Sequence, residues 1–303
     1  MASIDDHGPR LNITIWSLTG AATLFLGLRI YCKVWRGRPV RWDDCVLVAS
    51  WLALAASCSL LSVNTTIGYG RHNADIPSEN FNYVLLVSYV AGFFSILAAC
   101  WSKISFAITL LRVVTNHRIK LLLWFIIVSV NLVLGANATI QFAQCWPPPR
   151  LWNPEGTGSC WPRFVVIRYN IFVAAYSGFM DIALALLPWM IVWNAAISMN
   201  EKLSALFAMS MGVFAGITSF LKILHLDAIG SNDMIDSVNL LIYGTAESAV
   251  TIIAVSIPIL RALVYTSSSP PKPRFYQGSY DEYHSTGNHS PPRSAGQNQP
   301  PRS

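Results

Sequence analysis

Apolar residues in this chain gather in long blocks, roughly twenty positions or more each, broken by short polar stretches. Seven such blocks run approximately Leu11 to Val34, Asp44 to Asn64, Tyr83 to Leu111, Leu121 to Gln144, Val165 to Trp193, Leu203 to Leu226 and Ser237 to Tyr265. About twenty residues, rising 1.5 Å each as a helix, cross the hydrocarbon of a bilayer. Backbone amides in hydrocarbon must be satisfied within their own segment, so the blocks are expected to be helices and not strands. The pattern predicts an all-α fold, a seven-transmembrane-helix bundle over residues 11–265, with a short extracellular N-terminus (1–10) and a cytoplasmic tail (266–303).

Composition narrows the class. The residues are 53% hydrophobic and only 12% charged, with a mean hydropathy of +0.44. A soluble domain carries about 25% charged residues, so this chain cannot wet the surface of a water-soluble globule, and soluble enzyme folds are excluded. The lipid bilayer is its first partner. The net charge of +6 is spread over many loops without a basic run that would track a phosphate backbone, and nothing supports a nucleic-acid partner. Met1 to Arg10 holds Asp5 and Asp6 and lacks a basic leader, while the first block is too long for a signal core; it reads as an anchor that stays.

Lysine and arginine near the block ends set a direction. With the N-terminus outside, the inner side receives eleven: Lys33, Arg36, Arg38, Arg41, Arg112, Arg118, Lys120, Lys202, Arg261, Lys272 and Arg274. The outer side receives five: Arg10, Arg71, Arg150, Arg163 and Arg168. The bias predicts N-outside and C-inside, in a multi-pass protein expected at the plasma membrane. Thr266 to Ser303 is rich in Pro, Ser, Gly and Asn and is expected to be disordered, either as a passive tail or as one that is phosphorylated or binds a partner.

Charge inside the apolar blocks is the most informative chemistry. An ionised side chain at a helix centre costs about 2.5 to 3.5 kcal/mol on insertion scales, so it needs a partner or a wet cavity. Counting from Arg112, Trp193 and Arg261 as markers of the inner boundary, Lys103, Asp181 and Glu247 lie roughly 14, 18 and 21 Å deep and can meet near mid-membrane. Lys222, near the outer end of its block, is expected to reach the outer mouth by extending its stem. The four charges balance. They form either a structural ion-pair network or a polar ligand pocket.

Cys145 and Cys160 flank a proline-rich outer loop with Pro147, Trp152 and Pro154. Their oxidation would close that loop, worth about 3 kcal/mol in the chain-entropy model, as a staple or as a rigid lid over the bundle mouth. No second cysteine pair or nearby histidine completes a zinc site. Cys32, Cys45, Cys58 and Cys100 read as small apolar fillers. Ala208, Gly212 and Gly216 repeat every four residues, a face for close helix approach within the bundle or in a dimer; the oligomeric state is left open. Pro188 and Pro258 mark bends near two inner ends. Asp43 and Asp44 open the second helix, where acidic groups suit the dipole, and Asp44 is placed to pair with Arg112 or Arg41. Asn12-Ile13-Thr14 and Asn64-Thr65-Thr66 match the glycosylation pattern but abut the membrane.

Together these pieces resemble the fungal rhodopsin-domain integral membrane proteins. The resemblance rests on Arg41-Trp42-Asp43-Asp44, on Gly68-Tyr69-Gly70-Arg71-His72, and on Lys103-Ile104-Ser105-Phe106 with Leu111-Arg112. It continues through Gln144-Cys145 with Cys160, Asp181 to Pro188, Gly212-Val213-Phe214 with Lys222, and Glu247 with Ser256-Ile257-Pro258-Ile259-Leu260-Arg261. It implies a seven-helix, receptor-like architecture in a fungal membrane, and, since some members are encoded beside secondary-metabolite genes, a link to secondary metabolism. The name does not imply light sensing. A rhodopsin-type Schiff base needs a lysine in the seventh helix, and Ser237 to Tyr265 has none, so no retinal or other cofactor is expected.

The leading expectation is an orphan receptor-like protein, not an enzyme. It would bind a small, partly apolar ligand at Lys103, Asp181, Lys222 and Glu247 and be read by a cytoplasmic signalling partner. Two alternatives use the same carboxylates: an intramembrane enzyme acting on a lipophilic metabolite, with Asp181 or Glu247 as general acid, and a transporter.

Overall fold

A computed structural model describes residues 7–39, 41–70, 77–153, 156–193, 199–226 and 235–268. Among them are seven long helices: α1 (Gly8–Trp35), α2 (Trp42–Ile67), α3 (Ser78–Val113), α4 (His117–Ala143), α5 (Arg163–Trp193), α6 (Met199–Leu226) and α7 (Ile235–Ser268). All but α6 hold an apolar stretch long enough to cross a bilayer; α6 contributes a shorter one, Met209–Leu224. The all-α bundle expected from the apolar blocks is the observed architecture. Most helices run past the blocks because their polar end turns carry no hydropathy signal; α3 begins at Ser78 and not Tyr83. The chain divides into Met1–Thr266, which holds the bundle, and Ser267–Ser303; the tail from residue 269, with Asp5, Asp6, Arg71 and His72, lies outside the described residues.

The exterior is inverted relative to a soluble protein. Leu24, Leu28, Phe125, Leu132, Phe172, Phe179 and Leu224 are exposed, while Arg29, Asp43, Asp44, Lys103, Asp181 and Glu247 are buried. Lipid is the solvent that makes such a surface favourable. Trp42, at the start of α2, is 83% exposed and belongs to that outer surface.

Small polar residues draw α2 and α3 together. Asp43, Ser50, Ser57 and Asn64 recur every seventh position on α2. The Ser105 hydroxyl donates to the Asp43 carbonyl (2.8 Å), Ser50 to the Ala98 carbonyl (2.8 Å) and Ser57 to the Ala91 carbonyl (2.9 Å). The Asn64 amide donates to the Val84 carbonyl (3.2 Å) and the Ser88 hydroxyl (2.8 Å). The α3 partners 105, 98, 91 and 84 descend by the same step, so one face of each helix stays in register as an antiparallel seam. Asn64 is fully buried and its amide nitrogen is taken, which closes that sequon to modification.

The α5–α6 contact relies on missing side chains. A Cβ at Gly212 would lie 2.5 Å from the Ala185 Cβ, and one at Gly216 would lie 2.8 Å from Ile182. Gly178 on α5 faces Ser219 in the same way at 3.0 Å. Gly212 and Gly216 therefore serve packing inside the bundle; the side chain of Ala208 lies outside the described residues. Pro188 is buried within α5, and the side chains of Pro258 and Arg261 on α7 lie outside the described residues.

Between α4 and α5 the chain forms a small hairpin of β1 (Cys145–Trp146) and β2 (Ser159–Cys160), with a 3₁₀ turn at Pro148–Leu151. Cys145 pairs with Cys160 in register and a disulfide joins them. Gly158 has φ +152°, and a Cβ there would lie 2.6 Å from the Trp146 carbonyl oxygen, so glycine is what lets the strands close. At the same end of the bundle Gly70 (φ +96°) brings the chain after α2 against Gly8, and its carbonyl accepts from the His7 amide at 3.1 Å. Of the four other cysteines, Cys58 and Cys100 are buried fillers as expected, Cys32 is half-buried, and Cys45 is exposed on the outer surface. The filler reading fails for Cys45 because it lies on the α2 face opposite the α3 seam.

Candidate functional site: an ion cluster beneath a helix-lined cavity

Four helices deliver one charge each to a point inside the bundle. Lys103 of α3 is fully buried; its ammonium lies 2.7 Å from Asp181 Oδ1 of α5 and 2.5 Å from Glu247 Oε1 of α7. The Ser177 hydroxyl, one turn before Asp181 on α5, donates to the same Glu247 oxygen at 2.8 Å. Lys222 of α6 bonds the other oxygen, Oε2. The structure thus turns Lys222 inward to Glu247 and not outward to the mouth, because a buried carboxylate is far costlier without a cation than a lysine stem is to bend. Asp181 Oδ2 is buried and has no partner among the described residues. Two cations and two anions balance, which lowers the desolvation cost that each would carry alone.

Above this cluster, toward the disulfide end, lies a cavity of about 440 Å³. Its floor includes Lys222, Glu247 and Ser177, its wall is built from Leu134, Ile140, Val173, Leu240 and Leu241, and Trp161 and Gln144 stand beside the hairpin. A volume of this size with a mostly apolar wall and few polar groups is the usual form of a small-molecule site. Gly92 leaves the space that the Gln141 amide occupies, since a Cβ there would lie 2.7 Å from Gln141 Nε2. Tyr69 also lines the cavity and shares a 2.6 Å hydrogen bond with Ser237. Burial pushes its phenol up to about 12, with the Ser237 bond acting against the rise.

A second buried cluster sits toward the opposite end. Arg29 of α1 bonds Asp44 through Nε (3.0 Å) and Asp43 through Nη2 (2.9 Å), and its Nη1 donates to the Val255 carbonyl of α7 at 2.7 Å. Lys33, one turn on, reaches Asp44 at 2.5 Å, and Arg112 of α3 reaches Asp43 at 2.6 Å. The expected pairing of Asp44 with Arg112 or Arg41 is therefore corrected. Arg112 takes Asp43, Arg29 and Lys33 take Asp44, and Arg41 contributes its backbone amide at 3.2 Å. Arg29 and Lys33 share one face of α1 across from the start of α2, so they reach Asp44 first.

A family model described as the fungal rhodopsin domain matches residues 28–266, well over half of the chain and inclusive of both clusters. The chain belongs to the fungal rhodopsin-domain family. A SAT4 family membrane protein of Emericella nidulans is 29% identical over 168 residues, 52% of this chain and 41% of that relative. The chain thus matches less than half of that relative's length. No solved structure matches the chain. Within the fungal rhodopsin domain, the residues that sequence reasoning passed over are Arg29, Ser177 and Gln141. Arg29 lies close enough to a block end to pass for a side chain that extends to the interface. Ser177 and Gln141 are uncharged and so escape a search for charge inside apolar blocks, although the four-residue step from Ser177 to Asp181 puts those two residues on one helix face.

Proposed function

We propose that this fungal rhodopsin-domain protein is a receptor-like membrane protein that binds a small, partly apolar molecule. The observation that supports this reading is the cavity that runs from Trp161 beside the hairpin to the Lys222–Glu247 pair. In this reading the N-terminus and hairpin face outward, and the ligand enters at the hairpin. Contacts at the cavity floor act on α5, α6 and α7 together, because Ser177, Lys222 and Glu247 belong to those three helices, and Asp181 lies behind them, joined to Glu247 through Lys103. Retinal is not the ligand: α7 offers no lysine, and Lys103 and Lys222 are both engaged by carboxylates.

The test is a signalling readout in cells expressing the full chain and exposed to fractions of fungal culture medium. A fraction that elicits a response should lose its effect with Asp181→Asn and with Glu247→Gln; a normal response in both removes the pocket from the reading. Mass analysis of the same fractions separates the alternatives. New product masses support an enzyme, and redistribution without new masses supports a transporter.

A further inference from the structure

The cavity leaves two hydrogen-bonding positions unmatched, and they specify what can fill it; this step rests on the binding reading above. An ammonium has three N–H donors, and Glu247 is the partner of Lys222 among the described residues, so two donors are left at the cavity floor. On the opposite side, Gln141 donates through Nε2 to the Tyr89 carbonyl at 3.0 Å, while its Oε1 is buried without a partner among the described residues. The amide cannot be reversed, because that would set its oxygen against the Tyr89 carbonyl oxygen. Donors therefore wait at Lys222 and an acceptor waits at Gln141.

Charge decides the class. Lys103 and Lys222 balance Asp181 and Glu247, so a ligand with a formal charge would add an uncompensated one at membrane depth. On insertion scales that is worth about a hundredfold in affinity. A neutral oxygen accepts from Lys222 without disturbing the balance.

We infer that the cavity takes an uncharged, oxygenated lipophile. A carbonyl or ether oxygen accepts from Lys222, a hydroxyl or N–H donates to Gln141, and a hydrocarbon body lies against Leu134, Val173 and Leu241. Gly244 supports this arrangement, since a Cβ there would crowd Ser95 Oγ at 3.2 Å and lie 3.8 Å from the Lys222 ammonium.

The experiment is calorimetry on the full chain in lipid nanodiscs, with empty nanodiscs subtracted, using probes on one hydrocarbon chain: dodecan-2-one, dodecan-1-ol, dodecane-1-sulfonate and dodecyltrimethylammonium. The ketone and the alcohol should bind at least about tenfold more tightly than either fixed-charge probe. Lys222→Met combined with Glu247→Gln keeps the buried charges balanced and should remove the ketone's advantage, while Lys222→Arg should keep it. Gln141→Leu should weaken the alcohol and leave the ketone unchanged. Sulfonate or trimethylammonium binding as tightly as the ketone, and lost on filling the cavity with Leu241→Trp or Leu240→Trp, would overturn the neutral class and leave the binding reading standing. Absence of saturable binding by every probe would overturn both.

Discussion

Arg29 shows what a single buried guanidinium can hold. Its Nε and both terminal nitrogens are engaged, by two carboxylates and a backbone carbonyl from another helix. Removing it leaves Asp44 with Lys33 alone, and Asp43 with Arg112 and, at 3.7 Å, the same Lys33. Breaking a buried pair from one side costs about 3–5 kcal/mol, so Arg29→Gln should lower the thermal stability of the nanodisc-held protein by that order. Arg112 is one-third exposed, and Arg112→Gln should cost under about 1 kcal/mol, because Asp43 keeps Arg29. Equal losses in thermal unfolding would refute this ranking. Tyr69 gives a pH signature. Its folded phenol titrates near 12 against an ordinary value of 10.0, so the folded state favours the neutral form. The associated stability is complete below pH 10 and is lost as pH rises toward 12; an alkaline unfolding series should show this loss in the parent and not in Tyr69→Phe. At this scale the sequence speaks through hydropathy. Lys103, Asp181 and Glu247 stand out because each is one charge in a long apolar block, whereas Gln141 and Ser177 look no different from the many small polar residues of such helices.

Helix pairing depends on two devices of opposite kind. On α2 and α3 the seam is polar, at seven-residue spacing; on α5 and α6 it is an absence of side chains. The second permits a graded prediction. Replacing glycine by alanine inside a helix gains up to about 1 kcal/mol from backbone propensity, against an overpacking cost of about 1–3 kcal/mol. At Gly212 the obstructing atom is the Ala185 Cβ at 2.5 Å, and at Gly216 it is the Ile182 Cγ1 at 2.8 Å, which a β-branched side chain in a helix cannot swing aside. Gly212→Ala and Gly216→Ala should therefore both destabilise the bundle, Gly212→Ala the more because its clash is closer. Gly20, Gly27 and Gly135 face open space, and alanine there should raise thermal stability by about 0.5–1 kcal/mol. The α2 half of the polar seam can be seen in Ser50, Ser57 and Asn64. Most of the α3 half could not be read, because Ala98, Ala91 and Val84 take part through backbone carbonyls, which every residue carries; Ser105 and Ser88 are its side-chain members.

At the scale of the whole molecule, seven apolar blocks foretell seven helices because a bilayer sets the length of each; the polar step on α2 and the glycine step on α6 mark a contact face, but which helix fills it is decided by side-chain fit. Among the described residues the disulfide is the one covalent tie between positions distant in the chain, and it closes a sequence separation of 15. Cys145→Ser with Cys160→Ser should cost about 3 kcal/mol through the freed loop, measured as a fall in thermal midpoint that reductant reproduces in the parent. The position of α7 between the two charge clusters has a mechanical consequence. Glu247 is gripped from α3, α5 and α6, and the Val255 carbonyl from α1, at two heights about 12 Å apart along the helix axis. A rod pinned at two heights by four separate neighbours cannot slide along its own length without tearing both attachments. The movement left to it is a swing of the stretch beyond Val255, so in the receptor-like reading proposed above a signal carried by α7 would travel as torque and not as thrust.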